Sequence, residues 1–375
     1  MGYKIDCRLF TGYKPCRFKR SCDFCPHYDP VAERIAIVSL EAMGAVLRAT
    51  CLLPVIKRKY PNCFITWITL KNAAPLLTEN PHIDELIVLD SFHQSLIFQK
   101  SFDIAYGVDK SKQAGGLLMS LQAVKKFGFG VDPSGVIIPL TSDADYQYHL
   151  GLDDDAKFFK NQKPETQQIT ESMGFKWQRD PYVLGLNLKE KRLAEARRQE
   201  ILTDTKSSGI IGYNTGCSTL FPYKKFTVER AIHTITQWRK HFPEHAVLLL
   251  GGPEDTQRQL EMKAAFAQDD RVINSPTTDG LREGIVWMET ADLVFSGCSL
   301  GLHIAIALKK PAIAWFGVSV SQEIDLYDRG EKIVADVSCT PCWKKYCFNE
   351  PKCFDKVDSE KIVDATKKLI KLKSN

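Results

Sequence analysis

Apolar and polar positions alternate along the first half of the chain in a pattern that predicts strands followed by helices. Short runs rich in β-branched residues, such as RIAIVSL from Arg34 and CFITWIT from Cys63, are typical of buried strands. Between them, AVLRATCLLPVIKRKYP has apolar positions at helical spacing and predicts one helix with a single apolar side. ELIVLD and FDIAYGV predict further strands, and APLLTEN a short helix. Strands that alternate with helices indicate a parallel sheet with βαβ crossovers.

A second alternation follows a polar region at 141–185 and predicts a second unit. YVLGLN at 182–187 predicts a strand, EKRLAEARRQEIL a charged helix, and we place the interdomain linker near 186–206. The strands predicted after this helix are GIIGYNTG, AVLLLGG, RVINSP, DLVFSG and finally AIAWFG. The stretch TVERAIHTITQWRKHFP predicts a helix capped by Thr227. The expected fold is therefore α/β, with two doubly wound units in tandem and a ligand outside the carboxyl ends of the strands, in the cleft between the units.

Composition narrows the class of protein. The chain has 375 residues, of which 44% are hydrophobic and 25% charged, and a formal net charge of +5. These values are typical of a soluble globular protein. The chain has no long basic run with interleaved aromatic residues, so the sequence does not predict nucleic-acid binding. No apolar run is long enough for a transmembrane helix, and MGYKIDCRLF lacks the apolar core of a signal peptide, so we expect a cytoplasmic protein. The tail KKLIKLK predicts either a packed helix or peripheral contact with an anionic membrane surface.

Four loops follow predicted strand ends: EAMGA, NTGCSTLFPYKKF, GGPED and SGCSLGLH. The second loop offers small residues whose backbone N–H groups suit an anion, followed by lysine, which predicts a diphosphate cradle. The alternative is a polar loop with solvated lysines. The candidate ligands here are Thr215, Ser218, Thr219 and Lys224.

The third and fourth loops carry further candidates for nucleotide binding. Glu254 follows a glycine pair and could accept hydrogen bonds from a ribose, or it could simply favour a helix N-terminus together with Asp255. The fourth loop enters a helix through Ser299 and Gly301 and places His303 one turn inside. A histidine in an apolar run such as LHIAIAL is either a packed side chain or a contact to the ligand.

Eight of the twelve cysteines lie in two clusters, which predicts metal sites in a reducing compartment. Each cluster contains a CxxC pair and two more cysteines, a set that could surround one tetrahedral ion. Zinc and iron, including an iron–sulfur cluster, both accept four thiolates, and free or paired thiols are the alternative. Outside the clusters, Cys51 and Cys63 are expected to be buried. The candidate ligands are Cys7, Cys16, Cys22 and Cys25 in the first cluster, and Cys339, Cys342, Cys347 and Cys353 in the second.

Four stretches in order resemble glycosyltransferase family 9, the heptosyltransferase-like enzymes of lipopolysaccharide assembly: GAVLRATCLLPVIKRKYPNCFITWIT, KKFTVERAIHTI, LLLGGPED and GLHIAIALKKPAIAWFG. The resemblance implies a GT-B fold, two Rossmann-like domains facing a cleft, and a metal-independent, inverting transfer. The implied donor is a nucleotide-sugar such as ADP-heptose, and the acceptor is lipopolysaccharide core, another glycan or a protein. It also implies that Lys224 and His303 lie near the donor phosphates with Ser299 and Gly301, and that Glu254 contacts the nucleoside. The resemblance further includes relatives with a similar C-terminal cysteine finger, some of which bind iron there.

Two positions depart from the family pattern. The family's first loop usually ends in Gly-Asp, where the aspartate is the catalytic base, but this chain has Gly44 and Ala45. The fourth loop has Cys298 where the family usually has aspartate. An inverting transfer needs a base, and Glu41 is the candidate in the same loop, with a solvated loop acid as the alternative. The sequence thus supports a glycosyltransferase, a nucleotide-sugar or glycan binding protein of the same fold, or an assembly role for the cysteine clusters.

The resemblance and the two alternations together predict four parts of the chain. Residues 1–30 form a cysteine-rich leader, and residues 31–190 form an N-terminal Rossmann-like acceptor domain. Residues 191–338 form the donor domain, which binds the nucleotide-sugar. Residues 339–375 form a cysteine finger and a C-terminal helix, which we expect to pack back on the N-terminal domain.

Overall fold

Two units, each built round one sheet, account for the two alternations in the sequence. The structure is a computed structural model and describes residues 2–40 and 42–373. The first unit comprises Met1–Ala42, Cys51–His149 and Gln168–Asp180, and the second comprises Met43–Thr50, Leu150–Gln167 and Pro181–Asn375. Short segments of the chain therefore alternate between the two units, and the last change of unit follows Asp180. The sequence predicted a single boundary, at 190/191.

Within the described residues, the first unit has a six-stranded sheet in the order β3-β2-β1-β4-β5-β6. The strands β1 to β5 run parallel, and β6 is antiparallel to β5. The sequence analysis did not predict β5 and β6, because lysines and glycines interrupt the apolar pattern of QAVKKFGFGV. The strands are β1 Arg34–Val38, β2 Phe64–Thr69, β3 Glu85–Val88, β4 Ser101–Gly107, β5 Gln122–Val131 and β6 Ile137–Pro139.

The helix predicted after β1 is two helices rather than one. Met43–Ala49 and Leu52–Lys59 are separated at Thr50 and Cys51. Pro54 has no N–H group, and its ring would clash with the carbonyl of Thr50, so a continuous helix cannot form there. The helices before residue 180 are α1 Met43–Ala49, α2 Leu52–Lys59, α3 Ala74–Leu77, α4 Ser91–Gln99, α5 Lys112–Ser120, α6 Asp145–Leu150 and α7 Glu165–Ser172.

The second unit, as far as it is described, has a six-stranded, fully parallel sheet in the order β12-β11-β10-β7-β8-β9. Each sheet begins with a strand in the middle, adds two strands on one side and then continues on the other, as in a Rossmann fold. The edge strand β12 was not predicted, so AIAWFG is not the last strand. The strands are β7 Gly209–Asn214, β8 His245–Leu250, β9 Val272–Asn274, β10 Leu293–Gly297, β11 Ala312–Phe316 and β12 Gly330–Val334.

The predicted strand at 182–187 is wrong, whereas the predicted charged helix that follows it is confirmed. Residues 181–187 have no regular secondary structure, and a helix begins directly after them at Leu188. Asn187 and Glu190 form a reciprocal capping box that fixes this start. The helices of this part are α8 Leu188–Asp204, α9 Val228–His241, α10 Thr256–Ala264, α11 Leu281–Glu289, α12 Leu300–Ala307 and α13 Ser359–Lys373.

The buried face of the final helix belongs to the second unit, not to the first unit as predicted. Ile362, Val363 and Leu369 join the same apolar cluster as Trp238 of α9. The indole N–H of Trp238 also donates a hydrogen bond to Thr366 Oγ1 at 3.0 Å. The apolar stripe of α13 predicted that the helix packs, but it does not specify the partner.

No helix among residues 2–40 and 42–373 is long and apolar enough to cross a membrane.

Candidate functional site

The order of strands in the second sheet reverses between β7 and β10, and the loops after these strands lie side by side. Ligands of doubly wound folds bind outside such a point, at the carboxyl ends of the strands. Asn214, the last residue of β7, joins the two loops. Its amide nitrogen lies 3.1 Å from the Gly216 carbonyl oxygen and 2.9 Å from both Ser296 Oγ and Ser299 Oγ.

Gly301 is required beside this amide. A Cβ atom at position 301 would overlap the Asn214 side chain. Ser299, the N-cap residue of α12, uses its hydroxyl to accept from Asn214. Both predicted residues therefore lie at the site, but their described contacts shape the loops. The sequence analysis missed Asn214, although a polar residue at the end of the buried run GIIGYN could have indicated it.

The loop after β7 holds its predicted ligands in two different environments. Thr215 is buried and donates from its hydroxyl to the Leu250 carbonyl at 3.0 Å, which ties this loop to the end of β8. Ser218 and Thr219 are exposed at the tip of the loop. Thr215 thus has a structural contact, whereas Ser218 and Thr219 are accessible to a ligand.

In the loop after β8, Asp255 rather than Glu254 faces the interior. Glu254 is exposed, while Asp255 is buried and accepts from the Gly252 N–H at 3.1 Å. Asp255 also lies 3.7 Å from the ammonium of Lys225. Burial raises the pKa of Asp255, against the opposing effects of Gly252 and Lys225. The buried acid therefore orders the loop, and Glu254 is the carboxylate that solvent reaches.

Lys224 is buried to 9% exposure at the end of the short turn Pro222–Lys224. Its ammonium lies 3.7 Å from the centre of the Trp343 ring and 4.8 Å from that of Phe221. Aromatic faces stabilise a cation at these distances. The predicted phosphate-binding lysine thus has a defined position.

His303 lies in the first turns of α12, and it is buried. Its Nδ1 atom lies 3.3 Å from the Tyr182 hydroxyl, and a Cβ on Gly44 would approach its ring to 2.9 Å. Burial, followed by the positive charges of Arg48 and Lys224, holds the pKa of His303 well below its usual range. The imidazole is therefore neutral at pH 7 and offers one donor and one acceptor.

Arg48 of α1 adds a second cation beside the histidine. It forms a two-pronged ion pair with Glu165, at 2.6 and 2.9 Å. Burial disfavours its charge, but Glu165 and other neighbours raise the pKa of Arg48 overall. The sequence analysis did not single out Arg48, because a lone arginine in a predicted helix carries no pattern.

These groups together suit an anion. The first N–H groups of α12 have no acceptor within the helix, and the positive end of its dipole favours negative charge. Lys224 and Arg48 lie close enough to His303 to lower its pKa, so two cations and a neutral imidazole share one region of the second unit. Helix N–H groups and cations in one region are the elements of a phosphate site.

The predicted catalytic carboxylate, Glu41, lies outside the described residues. Ala45, at the family's aspartate position, lies in the first turn of α1, next to the glycine that abuts His303. Cys298 precedes the N-cap of α12, and Cys217 lies in the neighbouring loop. Burial raises the pKa of the Cys217 thiol to about 11, so this thiol is protonated at pH 7.

The predicted four-thiolate metal sites stay a prediction. Among residues 2–40 and 42–373, no group of three or more Cys, His, Asp or Glu side chains has the arrangement of a metal site. All twelve cysteines fall within these ranges, and none of them forms a disulfide there. An ion supplies the free energy that draws four sulfur atoms together, and spacing alone does not. As expected, Cys51 and Cys63 are fully buried.

The family comparison agrees with the expected fold. Residues 170–353 match the sequence model of glycosyltransferase family 9 (heptosyltransferase). The chain is 23% identical over 357 residues to lipopolysaccharide heptosyltransferase 1 of Campylobacter coli, covering 90% of this chain and 98% of the relative.

Solved structures with a similar fold include two glycosyltransferases. The glycosyl transferase family 9 protein of Veillonella parvula has a TM-score of 0.67 and 17% identity, covering 90% of this chain and 97% of that one. The ADP-heptose lipopolysaccharide heptosyltransferase II of E. coli has a TM-score of 0.66 and 15% identity, covering 92% and 100%. These similarities confirm the α/β fold with two parallel-sheet domains.

Proposed function

We propose that the chain, whose residues 170–353 match glycosyltransferase family 9, transfers a sugar from a nucleotide-sugar donor to a cell-envelope glycan. The proposed donor is ADP-heptose, and the proposed acceptor is lipopolysaccharide core. The similarity of the chain to lipopolysaccharide heptosyltransferase 1 of Campylobacter coli and to the ADP-heptose lipopolysaccharide heptosyltransferase II of E. coli supports this choice. The proposed reaction inverts the anomeric centre and occurs in the cytoplasm, with peripheral contact at the inner membrane.

The observation that carries the proposal is the convergence of Lys224, His303 and the start of α12 where the second sheet reverses. A diphosphate placed there would accept hydrogen bonds from the first N–H groups of α12 and from the lysine ammonium. The neutral imidazole of His303 could donate without adding charge. As the bond from the sugar to the phosphate breaks, negative charge grows on the leaving group, and these fixed donors would stabilise it.

Calorimetry with ADP tests the donor site directly. Lys224→Met keeps the length of the side chain but removes its charge, and we expect it to weaken ADP binding about tenfold or more, since hydrogen bonds to charged groups contribute ~1.5–3 kcal/mol. The matched control is Lys240→Met, which removes an exposed lysine of α9 and should leave the affinity unchanged. Equal ADP affinity in wild type and Lys224→Met would contradict the proposed site. Tighter binding of UDP than of ADP would contradict adenine as the nucleobase of the donor.

Glu41 is the proposed catalytic base, and its proposal rests on its position in the first loop. Removal of a general base typically lowers the rate by about 10²–10⁴-fold. We therefore expect Glu41→Gln to lower kcat by at least about 10²-fold with little change in ADP affinity. Glu79→Gln, an exposed loop acid, is the control. A Glu41→Gln enzyme with wild-type kcat would exclude this residue.

The second candidate function is binding of a nucleotide-sugar or glycan without transfer. Ala45 favours it, because alanine stands where the family has its catalytic aspartate. Turnover of ADP-heptose with a lipopolysaccharide core acceptor separates the two functions. A binding protein would bind ADP but show no turnover, and Ala45→Asp would then restore transfer. Rapid turnover by wild type, with no increase in rate in Ala45→Asp, would show that the protein has not lost its catalytic base.

Metal binding at the cysteine clusters is also a proposal, with a structural role and no part in the transfer. The CxxC spacing supports it, and the four cysteines of the finger lie close together along the chain, from Cys339 to Cys353. Elemental analysis and an absorbance spectrum of the purified protein, compared with Cys353→Ser and Cys25→Ser, would identify zinc or iron at each cluster, and absence of both metals would exclude the proposal.

A further inference from the structure

Trp343 of the C-terminal finger contacts the lysine of the proposed donor site. The Lys224 ammonium lies 3.7 Å from the centre of the Trp343 ring and 4.8 Å from the centre of the Phe221 ring. Trp343 is therefore the nearer of these two aromatic side chains. The rings of Phe221 and Trp343 meet edge to face at 5.3 Å and 83°. The two aromatic side chains therefore restrict where a buried ammonium can lie.

The backbone of the finger fixes the position of this tryptophan. The N–H groups of Cys342 and Trp343 both donate to the carbonyl of Val318, at 3.1 and 2.9 Å, in the loop after β11. Trp343 has a φ of +50°, a conformation that bulky residues rarely adopt. Such conformations persist where several contacts impose them. The indole thus reaches Lys224 from an anchored segment at the carboxyl edge of the second sheet.

Further contacts join the finger to the lysine-bearing turn. Tyr223, the residue before Lys224, stacks on Phe354 with ring centres 6.4 Å apart and planes at 11°. Gly317 allows Cys353 to approach the loop after β11, because a Cβ there would lie 2.6 Å from its sulfur. The finger therefore contacts two consecutive residues of the turn. Phe354 stacks on Tyr223, and Trp343 contacts the ammonium of Lys224.

We propose that Trp343 is a positioning residue that holds the Lys224 ammonium in place for the donor diphosphate. The proposal rests on the proposed function of Lys224. A lysine has a flexible four-carbon stem, and fixing its ammonium before binding reduces the entropy lost when the phosphate is bound. The indole N–H of Trp343 is buried and has no hydrogen-bond partner among residues 2–40 and 42–373. The polar contacts of this side chain are therefore with cations, and the Lys224 ammonium, at 3.7 Å from the ring centre, lies nearer than that of Lys157, at 5.1 Å.

Calorimetry with ADP on the full chain tests the proposal through an aromatic series. Trp343→Leu keeps an apolar side chain but lacks the ring that attracts the cation, and we expect ADP binding to weaken about tenfold, equivalent to ~1.4 kcal/mol. Trp343→Phe retains an aromatic face and should recover most of the affinity. With the nucleotide-sugar donor, Trp343→Leu should raise KM more than it lowers kcat. Tyr346→Ala, a finger residue at 77% exposure, is the control and should match wild type.

A second measurement distinguishes failure of this inference from failure of the proposed function. Acylation of Lys224 by an amine-reactive ester, followed by mass spectrometry, reports how the indole restrains the ammonium without any nucleotide. We expect faster Lys224 labelling in Trp343→Leu but not in Trp343→Phe or Tyr346→Ala. Unchanged labelling, or ADP binding by Trp343→Leu as tight as wild type, would overturn the inference. If wild type binds no ADP, the proposed donor is wrong, and the labelling series alone decides whether Trp343 positions Lys224.

Discussion

Asn214 and Gly301 show how a single amide organises the candidate donor site. The amide of Asn214 reaches groups from both loops at the point where the second sheet reverses, and Gly301 leaves room for it. Neither contact involves a ligand. The two loops are therefore held together before a donor binds, and the positions of Ser299 and the first N–H groups of α12 depend on this one side chain.

Gly301→Ala is expected to destabilise the protein and weaken ADP binding. The added Cβ would overlap the Asn214 amide, and overpacking of this kind typically costs about 1–3 kcal/mol. Gly284→Ala in α11 is a matched control, because no atom lies within 4 Å of its added Cβ. Replacing a helical glycine with alanine there should stabilise by roughly 0.5–1 kcal/mol. Thermal unfolding and ADP calorimetry measure both variants, and wild-type behaviour of Gly301→Ala would contradict this account of Asn214.

Among the helices, α13 illustrates that an apolar stripe predicts burial but not the surface it is buried against. The sequence analysis expected this helix on the first unit. Its buried residues instead enter the core of the second unit, where Thr366 accepts the hydrogen bond of the Trp238 indole. This polar contact adds specificity to the docking of α13, because it pairs the buried indole N–H with one particular hydroxyl.

Thr366→Val is expected to lower the free energy of unfolding by about 1–3 kcal/mol, since it preserves shape but leaves the Trp238 N–H buried without its acceptor. Thr236→Val is the control, because the Thr236 hydroxyl is exposed and donates only to the Ile232 carbonyl of its own helix. Urea unfolding followed by tryptophan fluorescence compares the two midpoints. If both variants unfold at the wild-type midpoint, the Trp238–Thr366 hydrogen bond does not stabilise the docking of α13.

In the whole molecule, the second unit is assembled from distant parts of the sequence. Helix α1 and residues 150–167 belong to it, although both precede its main segment. Arg48 and Glu165, 117 positions apart, join these two parts through an ion pair that is mostly buried. Because Arg48 also lowers the pKa of His303, this long-range contact contributes to the electrostatics of the candidate site.

A double-mutant cycle measures this contact. Arg48→Met and Glu165→Gln each leave one partner without its counterpart, which typically costs about 3–5 kcal/mol for a buried pair. The double variant should lose less than the sum, since neither charge is then stranded. The exposed pair Lys160 and Asp155 is the control and should show no measurable coupling. Additive losses at Arg48 and Glu165 in denaturant unfolding would show that the ion pair does not join the two segments.

The sequence by itself determined the fold class and the residues of the second unit's loops. Alternating strand and helix patterns lead to parallel sheets, since periodicity depends on local geometry and burial. The ends of GIIGYN and DLVFSG also indicated where a ligand would bind, because parallel strands end at one edge. The loop patterns offered Lys224 and His303 as candidate donor contacts and the resemblance to family 9 implies the same two residues, and in the structure the charge of Lys224 contributes to the lowered pKa of His303.

Only the tertiary structure decided which of these residues are structural and what surrounds the rest. Asn214, Asp255, Arg48 and Trp343 owe their contacts to segments that are far away along the chain, and no local pattern specifies such contacts. The same reason explains the exchange of segments between units and the place of α13, whereas the split at Pro54 is a local effect of proline. Hydrophobic periodicity determines which face is buried, whereas packing and electrostatics in three dimensions decide its partner.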